Sequence, residues 1–308
     1  MNKRLPILLA VLIISVAAIA QTQAPQDTTT VLQDTVWRVK GDFGLNFNQV
    51  SLTNWAAGGQ NSIAFTSTAG LDANYAKDKW KWDNIIRLAY GLSQQGEDVP
   101  LNKTDDRILL NTNLGYELNG PWYFTFNANF RTQFTDGYNL PNDSVKVSSF
   151  MAPGYLVAGL GIEYKPSDNF FFIIDPLSNK STFVMDDFLS GQGAYGVDTL
   201  ANVNAEFGVF ISLAYKKEIV KNVTLGTLYT MFAKYEDFGA WDINWDLVLD
   251  FKINSFLAAN LTTNLIYDQD INIPVDRTGD GIKESLGPRV QFRQALGIGL
   301  TANFASFK

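Results

Sequence analysis

The feature that most constrains this chain is an alternation of apolar and polar residues, repeated in run after run from residue 37 to residue 304. Successive side chains of a β-strand point to opposite faces, so a period of two specifies a sheet with two unlike faces. From Ile63 to Tyr75, one face carries Ile63, Phe65, Ser67, Ala69, Leu71, Ala73 and Tyr75, and the other carries Ala64, Thr66, Thr68, Gly70, Asp72 and Asn74. The clearest run is Trp122, Phe124, Phe126, Ala128, Phe130, Thr132 and Phe134, backed by Tyr123, Thr125, Asn127, Asn129, Arg131 and Gln133. The same rhythm fills 37–48, 80–93, 107–118, 154–165, 169–176, 202–216, 222–235, 241–253, 256–268 and 289–304, which predicts about twelve strands. Most are 10–14 residues long, whereas strands of ordinary globular proteins average about five or six. A strand of about 9–11 residues at a steep tilt crosses the hydrocarbon layer of a membrane.

Two regularities separate a membrane barrel from a large secreted sandwich. The charges within the runs fall on the more polar face: Asp72, Lys81, Asp83, Arg87, Glu117, Arg131, Glu163, Glu206, Lys234, Asp242, Asp246, Asp250, Lys252 and Arg293. The apolar face tolerates Asn84 and Gln294 but no Lys, Arg, Asp or Glu. A Lys or Arg facing lipid at mid-bilayer costs about 2–4 kcal/mol. Connections also alternate in length. Short ones lie near Ala76–Lys79, Asn119–Pro121, Pro166–Asn169, Lys217–Lys221 and Asn254–Ser255, and longer ones near 49–61, 94–106, 135–153, 177–201 and 269–288. The link at 236–240 is only moderately long. Tyr75, Trp80, Trp82, Trp122, Tyr164, Phe170 and Tyr215 stand beside the short turns, where amphipathic rings prefer the membrane interface. The expected fold is an all-β, antiparallel transmembrane β-barrel of about twelve strands. An even count puts both ends of the barrel on its short-turn side.

The first 20 residues read as a signal peptide. Lys3 and Arg4 precede an apolar stretch from Leu5 to Val16, and Ala18-Ile19-Ala20 supplies small residues at the cleavage positions. The expected organisation is a signal peptide over 1–20, a periplasmic leader over 21–36 and an outer-membrane barrel over 37–308. Losing Lys3 and Arg4 leaves 22 basic against 31 acidic residues, a net charge of −9. An acidic chain without a basic cluster is a poor nucleic-acid ligand. The chain has no Cys and no His. Disulfides and thiolate chemistry are thereby excluded, and the usual general base and commonest metal ligand are missing. No motif points to a Ser–Lys pair or a carboxylate dyad, so no enzyme is expected.

The candidate lumen-lining residues are Lys81, Asp83, Arg87, Arg131, Glu206, Asp242, Asp246, Asp250 and Arg293. Asp242, Asn244, Asp246 and Asp250 form a column on one strand face. It is either an acidic wall facing a cation or sugar, or part of a packed interior paired with Lys81, Arg87, Arg131 or Arg293. A twelve-stranded barrel tilted by about 40° is roughly 24 Å across its backbone, and side chains leave about 10 Å of that. The loop at 135–153 is long enough to dip inward. In the first long loop, Trp55, Gly58 and Gly59 are candidate contacts for a ligand or partner, or else tuck against the rim. Asp276, Thr278 and Asp280, before Gly281, resemble half of a calcium loop, but Gly287 stands where the closing Glu belongs. That turn is a weak calcium candidate, and otherwise no cofactor is expected.

The segments SLTNWAAGGQN (51–61), NKTDDR (102–107), FRTQFTDGY (130–138) and FMAPGY (150–155) resemble an uncharacterised family of outer-membrane proteins from Bacteroidota-type bacteria, a domain of unknown function. The similarity extends over nearly the whole chain beyond the signal. It implies a barrel in the cell outer membrane and brings no catalytic or binding residues. The functional expectation is a porin-like or small-solute channel of unknown specificity. The alternative is a non-conducting structural or assembly partner in an outer-membrane complex. The expected partners are outer-membrane lipid, the barrel-insertion machinery, which a last strand ending near Phe304 and Phe307 would suit, and an envelope protein in the alternative case.

Overall fold

The computed structural model describes residues 36–51, 61–96, 100–138, 144–275 and 285–307. The expected signal peptide and nearly all of the leader lie outside these residues. Twelve strands form the wall: β1 (Trp37–Val50), β2 (Ser62–Lys77), β3 (Trp80–Gln95), β4 (Asn102–Asn119), β5 (Trp122–Thr132), β6 (Gly154–Ser167), β7 (Phe170–Phe183), β8 (Val203–Val220), β9 (Val223–Lys234), β10 (Trp241–Lys252), β11 (Leu257–Tyr267) and β12 (Gln291–Phe307). Each pairs antiparallel with the next, and β12 pairs with β1 in the register Arg38–Phe307 to Asn46–Gly299, which closes the barrel. Closure removes the unpaired edge that an open sheet would carry.

Burial is inverted relative to a water-soluble protein. Glu163, Asp175 and Thr125 are fully buried in the interior, while Leu296, Phe207 and Leu177 are 74%, 69% and 70% exposed on the outside. The period-two alternation dictates this arrangement, because each strand contributes one face to the lumen and the other to its surroundings.

Short and longer connections alternate, least sharply where 235–240 is followed by 253–256. Asp78–Lys79, Gly120–Pro121, Asp168–Asn169 and Lys221–Asn222 are two-residue turns. Asp78, Gly120 and Asn222 take the left-handed φ of 55°, 56° and 66° that such tight turns require. At the rim beside these turns the aromatic rings pack on one another. Trp37 lies 5.3 Å from Tyr75 and 5.9 Å from Trp82, and Trp122 lies 4.7 Å from Tyr164.

The structure corrects three strand boundaries. β7 runs to Phe183 and not to residue 176, β4 starts at Asn102 and not at 107, and β8 runs to Val220 and not to 216. In β7 the register slips opposite Gly208 and Phe210, so Pro176 and Leu177 form a bulge and the alternation resumes out of phase. In β4 a similar slip falls between Gly91 and Leu92 of the partner strand, which leaves Thr104 as the extra residue. Each bulge breaks the period of two and makes polar strand residues read as loop.

At the long-loop end, the described residues of the β5–β6 connection, 133–138 and 144–153, pack with segment 184–202. Ala152, Val184, Leu189 and Val197 form their small apolar core. A one-turn helix, α1 (Asp187–Gly191), is capped by the Asp186 carboxylate, which accepts from the Leu189 N–H at 3.1 Å. Lys146 pairs with Asp186 at 2.5 Å, and the Tyr195 hydroxyl donates to the Val147 carbonyl at 2.5 Å. The Lys146 ammonium holds the Asp186 carboxyl below the usual carboxylate range. Residues 144–153 therefore dock on the neighbouring loop.

Candidate functional site

The interior is lined by polar side chains that meet across the lumen at several levels. Near the short turns, Lys81 on β3 pairs with Glu163 on β6 at 2.5 Å, and Lys165 on β6 pairs with Asp83 on β3 at 2.8 Å. Asn113 on β4 donates to Glu163 at 2.8 Å. Farther along β3, Arg87 pairs with Asp72 on the adjacent β2 at 2.5 Å. Asn127 on β5 donates to both oxygens of the buried Asp175 on β7, at 3.2 and 3.0 Å.

Towards the long loops lies a second level. Lys180 on β7 pairs with Asp242 on β10 and lies 3.4 Å from Glu206 on β8. Lys234 on β9 reaches Glu206 at 3.2 Å and Asp270 at 3.5 Å. Three of these carboxylates, Glu206, Asp242 and Asp270, come within 4.8 Å of one another. The two ammonium groups already supply the positive charge that such a cluster needs. Beside them Asp268, just past β11, is pushed up to about 6 by burial and by the nearby Asp242 charge, despite Lys180. Gly196 closes over this group. At its φ of 73° a Cβ would stand 2.8 Å from the Asp270 Cβ, a place only glycine fills comfortably.

The third level spans the barrel. Arg107 on β4 lies 3.9 Å from Asp246 on β10, which is six strands away in either direction round a ring of twelve. Arg131 on β5 donates to Asn244 on β10 at 3.2 Å. Asn264 on β11 ties both acceptors together, donating to Asn244 at 3.0 Å and to Asp246 at 2.8 Å. Arg293 on β12 pairs with Asp105 on β4 at 2.7 Å. Above this bridge opens a vestibule of about 380 Å³, whose lining includes Asp105, Arg107, Arg131, Asn264 and Arg293.

All nine lumen candidates sit on barrel strands, and their partners differ from those the sequence suggests. The acidic column does not pair with Lys81, Arg87 or Arg293. Asp242 takes Lys180, Asp246 takes Arg107 and the amides, and Asp250 has no ion pair among the described residues. Arg131 reaches the column only through the amide of Asn244. Lys180, Lys103 and Asp105 were hidden by the two bulges. Arg107 opens an apolar run, and an interior Arg there is the signal that could have found it. Trp55, Gly58 and Gly59, and the weak calcium candidates Asp276, Thr278 and Asp280, lie outside the described residues.

Residues 47–138 match a family described as "Protein of unknown function (DUF3078)". Three of the four resembling segments fall within or overlap that stretch, and FMAPGY at 150–155 lies beyond it. No curated protein matches the chain. Among solved structures, the NanC porin shares 10% identity over 87% of this chain and 99% of its own, with a TM-score of 0.35. An outer membrane channel from Pseudomonas putida F1 shares 11% identity over 92% of this chain and 100% of its own, at 0.37. The translocator domain of the autotransporter NalP from Neisseria meningitidis shares 10% over 87% and 89%, at 0.30. Likeness at that level leaves the fold to rest on the strand ladder itself. That ladder defines a closed, twelve-stranded antiparallel β-barrel, part of which matches a family of unknown function.

Proposed function

We propose that this chain is an outer-membrane channel for small solutes, narrowed by the side chains that bridge its lumen. The observation that carries this reading is the contact of Arg107 with Asp246 from opposite walls, joined to Arg131 by Asn244 and Asn264. The bridge is polar and made of flexible side chains, and a vestibule opens above it. Such a path suits a small polar solute and not a bulky one. An apolar, aromatic-rimmed exterior supports the membrane address, and cleavage after Ala20 would deliver the chain there. The resemblance to Bacteroidota-type envelope proteins fits the same reading.

Planar-bilayer recording tests the proposal. Purified wild-type protein should give small, discrete current steps. The double variant Arg107→Ala/Asp246→Ala should give steps at least twice as large, because the bridge is gone. Silence from both proteins, where a control porin conducts, sinks the channel.

One observation favours a second reading. Ion pairs fill the lumen at three levels, and two long loops dock together at its mouth. A barrel so filled could serve as a non-conducting partner in an envelope assembly. That role would show as a stoichiometric companion retained after mild detergent extraction.

A further inference from the structure

The geometry points to the long-loop vestibule as a binding site for small solutes bearing an oxyanion, a carboxylate or a phosphate, with Arg131 as its principal contact. This names a substrate class for the channel proposed above and rests on that reading for its role in transport. The binding itself stands on the cavity.

Three cations, Arg107, Arg131 and Arg293, line the vestibule with two carboxylates, Asp105 and Asp106, and a fourth cation, Lys103, pairs with Asp106. Arg293 is paired with Asp105 at 2.7 Å, Lys103 with Asp106 at 2.8 Å and Arg107, loosely, with Asp246 at 3.9 Å. Arg131 has only the neutral amide oxygen of Asn244, at 3.2 Å. Among the described residues it makes no ion pair, although it lines a cavity walled by protein. A guanidinium presents five N–H donors in a planar fork, and among the described residues only one acceptor, Asn244, meets Arg131. The Nε of Arg107 is buried with no acceptor among the described residues. One cation in excess and several idle donors converge on a cavity of about 380 Å³.

Arg131 is half-buried, and the one carboxylate that acts on it, Asp246, is shared with Arg107, so an oxyanion entering the cavity would supply a countercharge that Arg131 does not have to itself. Carboxylate and phosphate match the guanidinium fork in two-point geometry, which a neutral sugar does not. A cation would meet Arg131 unshielded. The volume falls at the small end of ligand pockets, about 300–1,000 Å³, and so accommodates a solute with a few carbons or one phosphate. Thr104, Asn264 and Gln291 add neutral hydrogen-bonding groups to the same wall. The chain as a whole is acidic, with a net charge of −7, so this cationic spot is set against the general field and not produced by it.

The test is calorimetric titration of the folded, detergent-solubilised protein with citrate and, separately, inorganic phosphate, at constant ionic strength, with glucose as the neutral control. Saturable binding of at least one anion is expected, at least tenfold tighter than glucose. Arg131→Gln should weaken it at least tenfold, and Arg131→Lys, which keeps the charge but loses the fork, by a smaller factor. Arg38→Gln, whose arginine lies 3.9 Å from Asp168 at the short-turn end, should leave binding unchanged. If Arg131→Gln fails to show the heat-dependent gel shift of a folded barrel, Arg131→Lys decides alone. Absence of saturable anion binding, equal binding of glucose, or unchanged affinity in the Arg131 variants would overturn the site. Comparison of citrate with phosphate tells which oxyanion it prefers. Anion binding by a barrel that never conducts would defeat the channel and keep the site; conduction without anion binding would do the reverse.

Discussion

Lys81 and Glu163 meet at 2.5 Å with 9% and 1% of their side chains exposed, so removing one strands the other. A buried charge that loses its partner costs about 3–5 kcal/mol, whereas replacing the whole pair by neutral groups of similar volume is often close to neutral. Lys81→Met should therefore lower the urea midpoint of the micelle-bound barrel markedly. Lys81→Met combined with Glu163→Gln should recover most of that loss, since the amide oxygen introduced by the second change could still accept from Asn113. Equal loss in the single and double variants would mean that the pair is solvated and the lumen wetter than described. Asp83 is a useful contrast. It has two ammonium partners, Lys81 at 3.3 Å and Lys165 at 2.8 Å, and so remains compensated when Lys81 is lost.

At the scale of elements, the passage of β6 beside the bulge in β7 leaves no room for a side chain. A Cβ on Gly161 would run into the backbone carbonyl oxygen of Ile174 and the carboxylate of Asp175. Backbone cannot yield as a flexible side chain can. Gly161→Val should prevent closure between β6 and β7, visible as loss of the heat-dependent gel shift. Gly226 on β9 is the internal control, because a Cβ there meets nothing within 4 Å. Gly226→Val should fold as the parent does and, with valine's strand preference, be slightly more stable. Failure of both variants alike would show that the β6–β7 bulge is not the constraint. The bulge also brings Lys180 and Asp175 into the interior on one strand, which strict alternation would forbid, since five residues separate them.

At the scale of the whole molecule, the question is what solvent the outer face meets. Leu296 on β12 is 74% exposed. In water, replacing it by arginine would cost almost nothing, as for most surface positions. Against lipid at mid-bilayer the same change costs about 2–4 kcal/mol. Leu296→Arg should therefore lower the unfolding free energy in lipid vesicles by that amount. An effect below about 0.5 kcal/mol would refute the membrane assignment. The same inversion explains why the interior holds ion pairs: with the greasy side chains turned outward, the polar ones have only one another and water as partners.

The sequence by itself determined the architecture. Strand count, the face each residue takes, the alternation of short and long connections and the aromatic rim all follow from a period of two, and that period depends only on local backbone geometry. The strand face on which Lys81, Asp83, Arg87, Arg131, Glu206, Asp242, Asp246, Asp250 and Arg293 stand was legible for the same reason, while a role for them in lining a solute path stays a proposal. Which of them meet was not legible. Arg107 and Asp246 are 139 residues apart in the chain and come together only because closure brings opposite walls into reach. The bulges at Thr104 and Pro176 were likewise invisible, because a bulge is decided by the register of the neighbouring strand. Tertiary structure alone paired the charges, left Arg131 outside ion-pair distance of any described carboxylate and shaped the cavity around it, since an alternating pattern fixes on which side of a wall a charge stands but carries no information about the wall it faces.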